Sequence, residues 1–312
     1  MRLDLKEASD RQNDCSTAVY LIDLPQDMMG FRKFISSWVV LTKDYNFLVD
    51  VGPSSTIPVL IKKMESLGVN LIDYVFLTHI HLDHAGGIGH LIERFPKLKV
   101  VAHEKSKSHL LNPEIIWEGS KKTLGEVAVK YGEIKPVPLE NLVDGAGNMV
   151  KIIDTPGHAA HHLSFQFQDI LFAGEAGGVY LNGLNENEFY LRPATPPRFF
   201  FETANSSLDK LLALNAEKIC YGHYGFARDA NKMLNFYRNQ IFLWKDIIKT
   251  VIDESIHKSN EEIALLSFKK LLKEDRIFAG YLKLDKDIQQ RERYFVLNSI
   301  KGFLGYLRRE QD

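Results

Sequence analysis

Apolar and polar positions alternate in short runs through the first two-thirds of the chain, and the period changes near residue 227. Ser16–Leu24, Phe34–Thr42 and Asn46–Val51 are rich in β-branched and aromatic residues between polar breaks, which predicts strands. Thr56–Leu67 has helical spacing and is followed by a glycine, so a helix is expected there. A buried strand over Leu71–Thr78, a helix over Ile88–Phe95 and a strand over Lys97–His103 follow. Lys105–Tyr131 reads as helical, with turns near Pro113 and Gly119. Strands return over Asn148–Thr155, His162–Gln168, Asp169–Gly174 and Val179–Gly183. The run from Asn185 to Phe201 holds three prolines, which predicts a loop at its centre. A helix over Ser207–Glu217 and a strand over Lys218–His223 complete this part. Ala227–Asp312 reads as about three helices, with a short strand near Ile277–Leu284. The pattern predicts an α/β catalytic domain over residues 1–226 and a helical C-terminal extension over 227–312.

Composition narrows the function classes. With 45% hydrophobic and 25% charged residues in 312, the chain reads as an ordinary globular protein. Its net charge of −1 gives no global attraction to nucleic acid or anionic membrane. The segment 227–312 carries 17 Lys+Arg against 13 Asp+Glu, so the rest is the acidic part. Cys15 and Cys220 form no Cys-x-x-Cys pair, and a reduced chain needs no disulfide between them. The charged first residues do not read as a secretory signal, and no apolar run approaches the ~18 residues of a membrane span. A cytoplasmic location is expected.

One stretch stands out chemically. LTHIHLDHAGG, Leu77–Gly87, places three histidines and an aspartate within six positions of a chain with 11 histidines. Residues two apart in an extended segment point the same way, so His79 and His81 can grip one ion. Asp83 and His84 fall where a helix begins and can face a second. Gly86 and Gly87 let backbone pass close without side-chain clashes. Imidazole and carboxylate suit zinc, iron or manganese. Later strand ends beside glycines supply further candidates: His158 in TPGHAAHH, Glu175 in FAGEAGG and His223 in CYGHYG. His90, His103, His109 and His257 are expected to be solvated or capping residues.

In order, LVDVGP, THIHLDHAGG, TPGHAAHHLSF, AGEAGG and YGHYG resemble the motifs of the metallo-β-lactamase superfamily, over roughly Thr17–Gly225. The resemblance implies an αββα sandwich with a dinuclear metal site at one sheet edge. It implies His79, His81 and His158 on the first ion, and Asp83, His84 and His223 on the second. Glu175 stands where the family usually has a bridging aspartate, and its extra methylene would shift the bridge or weaken the second ion. Asp50 and His162 match residues that support the site without ligating, the latter as in the glyoxalase-type thioesterase branch. Two divalent ions, zinc foremost with iron or manganese as alternatives, would make a bridging water a hydroxide at neutral pH. Asp83 would then take the proton that the nucleophile sheds.

The function so implied is hydrolysis of a small ester, thioester, lactone or related molecule. Tyr180, Tyr190, Arg192, Arg198 and Tyr224 are the candidates for contacting it, and the arginines would favour an anionic substrate. One alternative is an iron-dependent oxidoreductase like the persulfide dioxygenases, distinguished by metal identity and oxygen consumption. The other is a nucleic-acid phosphodiesterase, opposed by the acidic balance of the first 226 residues and the lack of an aromatic-basic signature. The C-terminal helices carry Phe236, Ile241, Trp244, Ile248 and Val251 at helical spacing, so they should pack on the sandwich or form a homodimer contact.

Overall fold

The computed structural model describes residues 1–3, 17–185 and 188–309. Cys15, Ser16 and the last residues of the chain lie outside the described residues. The chain divides into two compact units: Met1–Met28 with Arg32–Ile152, and Met29–Phe31 with Ile153–Asp312.

The first unit is built on a seven-stranded sheet whose strands follow in chain order. They are β1 (Arg2–Leu3), β2 (Ala18–Asp23), β3 (Ser36–Leu41), β4 (Asn46–Val49), β5 (Tyr74–Phe76), β6 (Lys99–Val101) and β7 (Leu142–Val143). Strands β1 to β4 are antiparallel, and β4 to β7 are parallel. The parallel run needs crossovers. Helix α1 (Ile57–Ser66) joins β4 to β5, while α2 (Leu82–Ala85) and α3 (Ile88–Arg94) join β5 to β6. Three helices, α4 (Glu104–Leu111), α5 (Glu114–Leu124) and α6 (Glu126–Tyr131), lead from β6 to β7. Val39, Val40, Phe47, Leu48, Val75, Phe76 and Val100 are wholly buried, as strands covered on both faces should be.

The second unit holds a five-stranded sheet ordered β14-β13-β10-β9-β8 and a two-stranded ribbon of β11 and β12. The strands are β8 (Lys151–Asp154), β9 (Leu163–Phe167), β10 (Ile170–Gly174), β11 (Val179–Asn185), β12 (Glu188–Arg192), β13 (Lys218–Tyr221) and β14 (Phe226–Arg228). Helix α7 (Phe201–Leu212) precedes β13. Helices α8 (Ala230–Glu254), α9 (Asn260–Glu274) and α10 (Lys286–Arg309) follow the sheet. Among the described residues, no helix is long and apolar enough to cross a membrane.

Three expectations change. The boundary at 226/227 falls inside the second unit, because Ile241, Trp244, Ile248, Phe303 and Leu307 share one core with Tyr190, Leu191 and Ile219. The loop expected at the centre of Asn185–Phe201 begins at Pro193 as it should, and the ladder with β11 holds Glu188–Arg192 before it as a strand. Gly119 does not break α5; a Cβ there would meet open space, and the break falls at Gly125, φ 56°. Ile277–Leu284 is no strand. It forms a 3₁₀ turn whose start is capped by buried Asp275, which accepts from the backbone N–H groups of Ile277 and Phe278.

Candidate metal centre

In the first unit the ligand candidates lie at the carboxyl ends of β4 and β5, where open parallel sheets present ligand sites. Asp50 leaves β4 with φ 56°, a left-handed conformation that aspartate tolerates better than most side chains. Its carboxylate is buried and accepts from the Thr78 N–H at 2.8 Å, the Thr78 hydroxyl at 2.8 Å and His84 Nδ1 at 2.8 Å. Because the Thr78 hydroxyl donates to Asp50, its oxygen accepts from His79 Nδ1, 3.0 Å away. One carboxylate therefore fixes two imidazoles as Nδ1–H tautomers and leaves both Nε2 atoms as lone-pair donors.

His79 Nε2 lies 2.9 Å from His81 Nδ1, and the His79 and His84 rings are 4.3 Å apart between centroids. His81 is the extended residue that starts α2, so Asp83 and His84 both belong to one helical turn. Asp83 is part-exposed, with Oδ2 3.7 Å from His84 Nε2. The His84 carbonyl accepts from the Val51 and Gly52 N–H groups, tying the two strand ends together. Gly87 serves this tie. A Cβ on it would press on Ile57 at 2.4 Å, so its bareness lets α1 close in rather than clearing the ligands.

In the second unit, Glu175 and His223 follow the parallel strands β10 and β13. His223 Nε2 is 2.9 Å from Glu175 Oε1, and both side chains are buried. Glu175 opens a one-turn 3₁₀ element bracketed by Gly174 and Gly178, both at positive φ. At Gly178 a Cβ would strike the Tyr237 ring at 2.8 Å, so no other residue fits. His162 is wholly buried, and its Nε2 accepts from the Glu175 N–H at 3.2 Å. Its Nδ1 must then donate to Thr155 Oγ1, 2.9 Å away. Ser164 Oγ lies 2.9 Å from Thr155 Oγ1 and donates in turn to the Ala173 carbonyl. Both His162 nitrogens are engaged in holding this turn. His158 Nδ1 lies 2.8 Å from the Ala194 carbonyl, which can only accept, so its neutral ring keeps the lone pair on Nε2.

The donor set fits a divalent ion of the zinc, iron or manganese class: neutral imidazoles with oriented tautomers, and carboxylates. Among the described residues, groups of histidine and carboxylate side chains could hold such an ion.

Comparison with known proteins identifies the family. A family model described as the metallo-beta-lactamase superfamily matches residues 30–223. The chain belongs to the metallo-beta-lactamase superfamily. It is 27% identical over 217 residues to a metallo-beta-lactamase fold-containing protein of Sulfurisphaera tokodaii, covering 66% of this chain and 78% of that one. It is 28% identical over 187 residues to hydroxyacylglutathione hydrolase of Xylella fastidiosa, covering 60% of this chain and 58% of the relative. The crystal structure of a metallo-beta-lactamase family protein of Thermus thermophilus superposes with a TM-score of 0.65 at 20% identity, over 94% of both chains. That superfamily places the chain among metallo-hydrolases, with the metallo-beta-lactamase fold and added C-terminal helices.

The residues expected at a substrate fare differently. Arg192 and Tyr190 are not available, because both are buried on Glu292: Arg192 Nε donates to Oε2 at 2.5 Å and the Tyr190 hydroxyl at 3.0 Å. Burial works against the Arg192 charge, but Glu292 holds its pKa above the ordinary value. Tyr180 is stacked on Tyr221 at 4.5 Å, and burial pushes its hydroxyl up to about 12. Arg198 is exposed over Phe200, and Tyr224 is half-buried beside Leu181. His103 caps α4 through its own ring, as a capping histidine should. Thr78, Thr155 and the Ala194 carbonyl were missed as contributors. The threonines stand directly beside ligand motifs, a signal that was present; a backbone carbonyl leaves none.

Proposed function

We propose that this chain is a metal-dependent hydrolase of a small ester, thioester or lactone. In this reading His79, His81 and His158 hold one divalent ion, Asp83, His84 and His223 hold a second, and Glu175 serves both. The observation that carries it is the Asp50 network, which spends a buried carboxylate on setting two histidine tautomers. Such outer partners raise the basicity of metal-binding imidazoles and are a recurrent feature of metal sites.

Bound divalent ions supply Lewis acidity and a hydroxide nucleophile at neutral pH. The chain's own residues set the rest. Asp50 and Thr78 hold the Nδ1 protons of His79 and His84, so that in each neutral ring the lone pair sits on Nε2. Asp83, part-exposed, is the carboxylate able to take the proton released on attack and pass it to water. His162 holds the Glu175 backbone, and through it the carboxylate, against His223. Arg198 and Tyr224 are the remaining candidates for substrate contact. The similarity to hydroxyacylglutathione hydrolase and the TPGH-x-x-x-H pattern put thioesters first among substrates.

The test is metal analysis of the protein as isolated, followed by a panel of thioester, lactone, ester and phosphodiester substrates with that metal. Two equivalents of zinc, iron or manganese and turnover of an acyl substrate are expected. Metal-free protein that takes up no divalent ion, or turnover of phosphodiesters alone, would overturn the reading. Oxygen consumption by an iron form would favour the oxidoreductase alternative.

A further inference from the structure

The loop after β12 runs along one face of α10, and that face has a repeat. Glu292, Phe295, Ser299, Gly302, Tyr306 and Arg309 recur at alternating spacings of three and four, the period of a helix seam. A seam usually receives another helix. Here it receives an extended strap. Glu292 pairs with Arg192, and the Arg192 guanidinium lies over the Phe295 ring at 5.8 Å. Ser299 is used twice: its hydroxyl donates to the Pro193 carbonyl at 3.0 Å, and its own carbonyl accepts from Thr195 Oγ1 at 2.6 Å. Tyr306 donates to Glu202 at 2.5 Å, and Arg309 to the Phe199 carbonyl at 2.6 Å. At Gly302 the approach is so close that a Cβ would lie 2.5 Å from both the Pro196 carbonyl oxygen and Thr195 Oγ1.

Between the residues gripped by Ser299, Pro193 and Thr195, lies Ala194. Its carbonyl accepts from His158 Nδ1, and its backbone also hydrogen-bonds the Tyr237 hydroxyl of α8. A strap pinned on both sides of one residue fixes that residue's carbonyl in place, at an entropic cost already met in folding.

We infer that α10 is a positioning element for His158: it clamps the Arg192–Thr195 strap so that the Ala194 carbonyl holds the ring as its Nδ1–H tautomer, with Nε2 as the donor atom. The inference rests on the reading of His158 as a ligand only for its consequence in metal binding. The geometry of carbonyl, strap and helix stands without it. Ser299 and Gly302 are thus positioning residues about 140 positions from the histidine they serve, and neither touches a ligand atom.

The test uses the full chain with three substitutions. Gly302→Ala favours the helix by propensity yet displaces the strap, so it separates helix integrity from strap position. Ser299→Ala removes the hydroxyl bond to Pro193, and Ser299→Thr restores a hydroxyl. Nitrogen-15 NMR of the histidine rings in metal-free protein reads the tautomer directly, and cobalt(II) titration reads the site spectroscopically. The expected result is a shifted or exchange-averaged His158 ring signal in Gly302→Ala and Ser299→Ala, with cobalt affinity about tenfold lower or more. Ser299→Thr should recover both. Unchanged His158 signals in both of the disruptive variants, with the helical circular dichroism intact, would overturn the inference. His158→Ala separates the two readings: if it leaves cobalt binding untouched, the ligand assignment fails, while the ring signals still judge the strap.

Discussion

Asp50 accepts three hydrogen bonds with one buried carboxylate, and the proton positions of two histidines follow from that count. Asp50→Asn keeps the shape but replaces an acceptor with an NH₂ group. The amide would confront His84 Nδ1 or the Thr78 hydroxyl with a second donor, favouring the wrong tautomer. Metal affinity should fall by about 10- to 100-fold with the fold retained. Competition against a chromophoric chelator measures this, and equal affinity would remove Asp50 from its proposed role. Glu175→Gln removes a negative charge next to His223, so one ion should weaken more than the other in a two-step titration. Affinities for both ions unchanged by the substitution would place Glu175 outside the metal site. At this scale the motif histidines could be singled out as candidates because they sit within a few residues of one strand end. Arg192 was misread because its partner, Glu292, lies 100 positions away.

Among the elements, α10 contributes a buried ionic group to the second unit. Glu292 sits between Arg192 and Arg291, and Arg291 also donates to the Gly30 carbonyl. Burial would raise the Glu292 pKa, but the two guanidinium groups outweigh it and hold the carboxyl at about 2, against an ordinary 4.5. A depressed folded-state pKa contributes stability that is present above the unfolded value and is lost as pH falls through the folded one. The contribution is about 3 kcal/mol, present above pH 4.5 and fading toward pH 2. Glu292→Gln should therefore lower stability at pH 7 by about 3–5 kcal/mol, since two arginines lose their buried counter-charge. The difference from the native protein should narrow below pH 4, as followed by denaturant unfolding. A pH-independent difference would contradict the charge argument. The helical period of α8 was plain from sequence, and Ile241, Trp244 and Ile248 are buried as expected. Strand β12 was hidden because prolines at 193, 196 and 197 dominate its window, although the ladder ends before the first of them.

For the molecule as a whole, ligand binding and stability are linked. If the native state alone holds the ions, metal at about 100 times its Kd adds about 2.7 kcal/mol. Treatment with a chelator should lower Tm by several degrees, and zinc should restore it; a Tm indifferent to both would argue against a resident metal. Truncation after Gly225 removes β14 from the edge of the five-stranded sheet and α8 to α10 from a core they share with β11, β12 and β13, so the shortened chain should aggregate rather than behave as an intact catalytic domain. A soluble truncated protein with unchanged kinetics would restore the boundary at 226. By itself the sequence determined the α/β class, most strands and helices, and the set of histidines and carboxylates at strand ends. Each depends on periodicity or spacing within a dozen residues, where the backbone leaves few choices. Tertiary structure alone decided which nitrogen of His79, His84 and His158 bears the proton, which arginine is buried, and that the C-terminal helices complete a unit instead of following one. Those outcomes rest on hydrogen bonds and packing between residues up to about a hundred positions apart in the chain, and no local pattern records which partners folding will bring together.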